Sequence, residues 1–349
     1  MAEEGLDAVF ISGNSNVRYL SDFSGSDAAL YISANRNCLI TDHRYTEQAA
    51  MECAEFCVEP HTAAAGRGMY ELVARFCDDD GVKRLGFEKE HLLYGDYLQL
   101  SKSLPQAVEA VPFAGLTENI RMSKSPEEIE LLRYACAATD RVFARICDYL
   151  HPGISEKDVE RELLYYIMGE GCDSSFSVIV ASGRNGSLPH AIPGGKLLTK
   201  GEFVTMDFGC AYKGYHADMT RTVFLGQPDQ RSNEVYEMVL EAKNRSQNLI
   251  KPGMICRDVD AAARNYFAEM GCADKFKHGL GHGVGLDIHE APRLNTTCET
   301  VLAPGHTVTV EPGLYFPGWG GVRIEDTVLV TESGSENLFI SPTELICID

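Results

Sequence analysis

The first third of the chain is built from short apolar runs punctuated by polar turns. Residues 6–12 form an apolar run ended by Gly13-Asn14, which predicts a strand and then a turn. Residues 28–32 and 38–41 repeat the pattern on either side of a polar stretch at 33–37. Residues 46–53 and 69–77 suit helices, the second closed by Asp78-Asp79-Asp80-Gly81. Residues 84–87 read as a strand and 94–104 as a helix stopped at Pro105. Strands alternating with helices predict an α/β unit, a mixed or parallel sheet with helices packed on it.

The pattern changes between residues 113 and 124. Ser125 can cap a helix, Pro126 suits its first position, and Glu128 completes a capping box. Ile129, Leu132, Cys136, Phe143, Ile146 and Leu150 then recur at helical spacing until His151-Pro152-Gly153. A faint repeat follows. Residues 151–172 and 251–272 align without gaps at an offset of 100, with 7 of 22 positions identical. Each copy is a Pro-Gly turn, a helix and a Gly-Cys turn. The repeat implies two similar α/β halves, with any site at their shared seam.

At roughly 150 residues per domain, 349 residues suggest two domains, read here as 1–120 and 121–349. The net charge of −20 argues against nucleic acid or an anionic membrane surface as a partner. A 44% hydrophobic share excludes global disorder. No apolar run approaches the roughly 18 residues of a membrane span, and residues 1–5 lack the basic-then-apolar order of an export signal. The 12 scattered cysteines, with no Cys-x-x-Cys pair, read as reduced thiols of a cytoplasmic protein.

The chemistry-bearing residues concentrate in the second domain. Asp207 and Asp218 lie on segments 203–209 and 215–223, both strand-like and joined by a turn over 209–214. Two carboxylates brought together in an apolar hairpin repel each other and resist desolvation, unless a cation sits between them. Exposed strand-end acids are the equal alternative. Residues 278–290 hold His278, His282 and His289 among four glycines, too many for a regular helix. Those glycines allow close backbone approach and leave imidazoles facing a cavity. Glu311 ends a strand before Pro312-Gly313. Arg323, Glu325 and Thr327 would share one face of a strand over 321–330, an arrangement that alone suits a surface ion pair. Together, Asp207, Asp218, His282, Glu311 and Glu325 supply four carboxylates and one imidazole, too much negative charge for one divalent ion and suited to two. Hard oxygen donors favour Mn²⁺, with Co²⁺, Fe²⁺ or Zn²⁺ as alternatives. Such a pair generates hydroxide at neutral pH and clamps a tetrahedral intermediate.

The order Asp, eleven residues to Asp, then His, Glu and Glu resembles the methionine aminopeptidase, prolidase and aminopeptidase P superfamily. Segments 16–20, 24–26 and 41–49 resemble the creatinase-like N-terminal domain of one subgroup, although His43 stands where a small or aromatic residue is expected. Segments 179–183 and 189–191, with Asn185, resemble its proline-specific members, with Ser187 where alanine is common. The chain starts as if a leading helix of the family were shortened. The resemblance implies a creatinase-like α/β domain followed by a pita-bread catalytic domain with two pseudo-symmetric α/β halves. It implies that Asp207 holds one metal, that His282 and Glu311 hold the other, and that Asp218 and Glu325 bridge both. Glu311 would also take a proton from the bridging water. His190 and His289 would line the cleft and assist the leaving amine. His278, Arg323 and Tyr315 would shape the proline and carboxylate side, and Arg221 would support the site.

The function so implied is a dinuclear-metal exopeptidase that cleaves the Xaa-Pro bond at the N-terminus of peptides, an aminopeptidase P. Its substrates would be small peptides with proline second, and its assembly a homodimer. The alternative is a prolidase restricted to Xaa-Pro dipeptides. A metal-free creatinase-type hydrolase and a non-catalytic binding homologue fit less well, because all five ligands are present. Proline specificity has a physical basis: the bond before proline has no N–H for an ordinary peptidase to grip, whereas metal polarisation needs none.

Overall fold

The computed structural model describes Met1, residues 4–62 and residues 66–349; Ala2 and Glu3, part of the segment read for an export signal, lie outside them. The chain divides into two compact units, Met1–Ile120 and Arg121–Asp349. Among the described residues no helix is long and apolar enough to cross a membrane. All twelve cysteines are free thiols, seven of them buried.

The first unit is a six-stranded sheet in the order Cys57–Pro60, Asn37–Thr41, Ala28–Ser33, Ala8–Ile11, Arg84–Glu88, Glu109–Phe113. Both faces are covered, so alternate residues of one strand enter different cores: Ala8 and Phe10 on one side, Val9 and Ile11 on the other. The strands expected at 6–12, 28–32, 38–41 and 84–87 are present. The two edge strands are not evident in the sequence, since each is short, carries a proline and is only partly apolar. The expected turn at Gly13-Asn14 is instead the start of the helix Asn14–Ser21. A distant carboxylate forms that start. Glu88 accepts from the N–H groups of Ser12 (2.6 Å) and Gly13 (2.8 Å), and from Asn16 Nδ2 (2.6 Å).

In the second unit the helix expected after residue 124 runs Pro126–Tyr149, with the capping box between Ser125 and Glu128 formed in both directions. Leu132, Cys136, Phe143, Ile146 and Leu150 are buried. The repeat is structural. Helices Glu156–Gly169 and Cys256–Glu269 are offset by 100 residues and are anchored alike. Gly153 N donates to Leu198 O, and Gly253 N to Leu302 O, each at 2.9 Å. Glu156 N donates to Lys196 O, and Cys256 N to Thr300 O, each at 3.0 Å. Each half then adds a sheet. One has the order Cys347–Ile348, Met219–Leu225, Glu202–Phe208, Ile179–Ser182; the other Glu290–Leu294, Gly281–Gly283, Thr307–Val310, Asp326–Val330, Ser335–Asn337.

The two sheets are stitched at the seam. Thr222 Oγ1 donates to Arg323 O (2.8 Å), Glu325 N to Thr220 O (3.1 Å) and Thr327 Oγ1 to Asp218 O (3.1 Å). Two expected strands are interrupted here. The segment 215–223 breaks at Ala217-Asp218, and 321–330 breaks at Ile324-Glu325. Gly320–Arg323 pairs with Gly313–Phe316, whereas Asp326–Val330 pairs with Thr307–Val310. Simple alternation from Arg323 to Thr327 therefore fails, because the chain changes partner between them.

Candidate metal centre and active site

The seam carries a cavity of about 450 Å³ lined by all ten residues singled out for the metals and substrate: His190, Asp207, Asp218, His278, His282, His289, Glu311, Tyr315, Arg323 and Glu325. Asp207 lies within the strand Glu202–Phe208, and Asp218 in the break before Met219–Leu225. The chain between them turns at Lys213-Gly214, both at positive φ as a tight hairpin turn requires. Gly209 lets the backbone close on itself, since a Cβ there would lie 1.8 Å from Ala217 O. The other half supplies His282 on Gly281–Gly283, Glu311 just past Thr307–Val310, and Glu325 in the second break. Gly281 again permits close approach, as its Cβ would meet Thr309 O at 2.0 Å.

The geometry suits a cation. Asp218, His282 and Glu325 are buried and offer ligand atoms that all lie within 4.8 Å of one another. His282 Nε2 is 3.5 Å from Asp218 Oδ2 and 3.4 Å from Glu311 Oε1. Its Nδ1 faces Gly283 O at 3.0 Å, which turns Nε2 toward the acids. Asp207 Oδ1 is buried without a hydrogen-bond partner. Four carboxylates here face one buried guanidinium, that of Arg323, whose Nη2 donates to Asp207 Oδ2 at 2.7 Å. Burial and mutual repulsion push Asp218 and Glu325 well above the usual carboxylate range, and burial holds Glu311 at about 8. Burial also depresses His282 to about 3, leaving a neutral imidazole ready to ligate. An orphaned carboxylate oxygen and unbalanced buried acids are what a site for divalent cations leaves when only the protein is considered.

A second layer fixes these groups. Thr220 Oγ1 donates to Glu325 Oε2 (2.6 Å), and Thr309 Oγ1 to Glu311 Oε1 (3.3 Å). Arg323 also donates to Tyr315 OH (3.0 Å), which lies 3.0 Å from His278 Nε2. Burial lowers His278 to about 4 and pulls His289 below its ordinary value, so both imidazoles are neutral near pH 7. The ring of His289 packs edge-on against His282, with centroids 4.3 Å apart.

Arg221 stands behind the cavity, where a supporting residue belongs. It does not line the cavity; its guanidinium binds Asp326 Oδ1 (2.7 Å) and the carbonyls of Glu325, Ser341 and Pro342 behind it. Its support is to the backbone under Glu325. The sequence reading also missed cavity residues: Phe176, Ile288, Arg293 and Asn295. Arg293 had a signal, being a lone cation between Pro292 and Leu294 directly after the histidine-rich run. In the sheet it stands opposite His282. Phe176 had none. Asn185 is explained structurally, since its Nδ2 donates to the buried Glu156 (3.0 Å), which also accepts from Ser182 N and Oγ (2.8 Å each).

Paired α/β halves with a carboxylate-rich cleft at their seam define a hydrolase of the pita-bread class. Residues 130–332 match the model of metallopeptidase family M24, and residues 1–123 match the creatinase/prolidase N-terminal domain. A solved Xaa-Pro dipeptidase from Bacillus anthracis is 41% identical with a TM-score of 0.95, over 99% of this chain and 96% of that one. An Xaa-Pro dipeptidase of Pyrococcus horikoshii is 34% identical over 99% of this chain and 96% of its own length. An X-Pro aminopeptidase structure from Thermotoga maritima is 32% identical with a TM-score of 0.91, covering 99% and 98% of the two chains. The chain belongs to metallopeptidase family M24 and is a metallopeptidase with a creatinase-type N-terminal domain.

Proposed function

We propose that this metallopeptidase is a prolidase, hydrolysing Xaa-Pro dipeptides, and that Asp207, Asp218, His282, Glu311 and Glu325 hold two divalent ions. In this reading residues 1–120 are the creatinase-like domain and 121–349 the catalytic domain. Manganese is the working ion, the assembly is a homodimer, and the compartment is the cytoplasm. The observation that carries the dipeptide reading is Arg293. It lines the cavity, is exposed, and makes no ion pair with any described residue. An exposed cation lining the cleft, with no acid partner of the kind Arg323 has in Asp207, matches the free carboxylate of a C-terminal proline, which a longer peptide lacks at that position. The likeness to dipeptidases, at 41% and 34% identity, supports it. Cleavage of longer peptides, the first expectation, is the second reading, and the Thermotoga aminopeptidase favours it.

Divalent ions held by the five ligands would polarise the scissile carbonyl and furnish hydroxide at neutral pH. The chain's own groups do the rest. Glu311 takes the proton given up by the attacking water at its carboxylate and passes it to the proline nitrogen, which must leave protonated. His190 and His289 hydrogen-bond the reacting amide. Tyr315, held between Arg323 and His278, keeps that wall rigid, and Phe176, Ile179 and Ile288 offer apolar surface to the ring. The test is Arg293→Met. It is expected to raise KM for an Xaa-Pro dipeptide about tenfold or more, the worth of one charge-assisted contact, with less effect on an Xaa-Pro-Xaa tripeptide. Equal effects on both substrates would overturn this role.

A further inference from the structure

Immediately after His289, Glu290 lies at the centre of a buried charge cluster outside the metal centre. Lys124 Nζ donates to Glu290 Oε1 at 2.5 Å and Arg121 Nη2 to Glu290 Oε2 at 2.6 Å; Arg121 Nη2 also reaches Asp287 Oδ2 at 2.7 Å. The Lys124, Arg121 and Glu290 side chains are 1%, 3% and 6% exposed. Two acids and two bases balance, so no cation is needed, in contrast to the metal centre.

The segment these acids belong to is packed at its start, where Val284 and Leu286 are buried and Val284 O accepts from Thr307 Oγ1 at 2.5 Å. Between Gly283 and Glu290 the chain leaves the sheet. Its main-chain amides make two backbone bonds, Val284 N to Thr307 O (3.3 Å) and Gly285 N to Asp287 O (3.1 Å), and Gly285 O accepts from His216 N (2.9 Å). Asp287 N turns instead to Glu290 Oε2 at 3.4 Å. The loop wraps the carboxylate so closely that a Cβ on Gly285 would lie 2.5 Å from Glu290 Oε1. The same loop carries Ile288 and His289 into the cavity. A register irregularity between His282 and Gly283 re-aims the chain at its start.

We infer that Glu290, clamped by Lys124 and Arg121 together with Asp287, is a positioning residue that sets the His289 imidazole for the reaction. The inference rests on the peptidase reading of this cavity. A buried carboxylate with two charge-assisted bonds is fixed far more tightly than an exposed loop residue. Misplacing a reacting group by about 1 Å can cost on the order of 100-fold in rate.

The test uses Glu290→Gln and, as a milder change that spares the buried pair, Asp287→Asn. Each is measured alone and combined with His289→Ala. With an Xaa-Pro dipeptide, Glu290→Gln is expected to lower kcat about tenfold to 100-fold with little change in KM, and Asp287→Asn to lower it less. In the His289→Ala background both further losses should nearly vanish, because the network acts through that ring. The second readout needs no metal and no turnover. In imidazole ¹H–¹⁵N spectra of the metal-free protein, both variants should shift or broaden the His289 signals and leave those of His43 in place. Undiminished losses in the His289→Ala background, or unchanged His289 signals, would overturn the inference. A wild-type enzyme inactive on Xaa-Pro dipeptides would refute the proposed function, while the spectra would still decide this one.

Discussion

Glu325 and Asp326 are neighbours, both buried, and they live in opposite electrostatic worlds. Glu325 faces the cavity, where burial and the repulsion of Glu311 and Asp207 push its carboxyl well above the usual range. Asp326 faces the other way, bonded by Arg221 Nη2 at 2.7 Å, Lys243 Nζ at 2.5 Å and Asn337 Nδ2 at 2.8 Å. One buried carboxylate is balanced by the fold and the other is not. A fold that can balance one acid so completely leaves four carboxylates against a single buried guanidinium only where something positive is bound in use.

Isosteric substitutions at the two positions should therefore act in opposite senses. The largest expected effect is Glu325→Gln: hydrolysis falls by about a thousandfold or more, while the metal-free protein, assayed at pH 8, melts at a higher temperature because a repelled charge is gone. Asp326→Asn strands two buried cations and is expected to destabilise the protein by roughly 3–5 kcal/mol, read in urea unfolding, with activity per folded molecule largely kept. The same sign in both unfolding experiments would dissolve the contrast.

A smaller effect follows from pH. Folded Glu311 keeps its proton to about 8, whereas the unfolded carboxyl releases it near 4.5. The metal-free protein should thus lose stability as pH rises from 4.5 through 8. His282 and His278, held down to about 3 and 4, refuse protons that the unfolded chain accepts below 6.5, so stability also falls on the acid side. Metal ions held as proposed would displace the Glu311 proton. Their affinity should climb about tenfold per pH unit for each proton displaced, up to about pH 8, measurable by titration calorimetry in several buffers. An affinity independent of pH would remove Glu311 from the ligand set.

Much of this was legible beforehand, for definable reasons. The helix beginning at Pro126 carries all its signals locally, in Ser125, Glu128 and the apolar stripe. The repeat at 151–172 and 251–272 survives because both copies make the same backbone bonds to a returning segment of chain. The five candidate ligands were visible because carboxylates and histidines among apolar strands and glycines are costly without a purpose. What the sequence hid was decided by distant residues. The helix at Asn14–Ser21 depends on Glu88, more than 70 positions away. The breaks at Asp218 and Glu325 arise where strands exchange partners across the seam, which local alternation cannot anticipate. Arg221 was expected only as a support, and what it supports, Asp326 and the backbone of Glu325, is set by the strand pairing across the seam.

The central claim is that the unbalanced acids bind metal in order to cleave an Xaa-Pro dipeptide. The direct measurement is metal content together with hydrolysis of an Xaa-Pro dipeptide and an Xaa-Pro-Xaa tripeptide, before chelation, after it, and after Mn²⁺ is restored. The expected result is two ions per chain, with dipeptide cleavage that is abolished by chelation, restored by Mn²⁺, and well above tripeptide cleavage. Undiminished dipeptide cleavage by metal-free protein, or cleavage of the tripeptide alone, would contradict it.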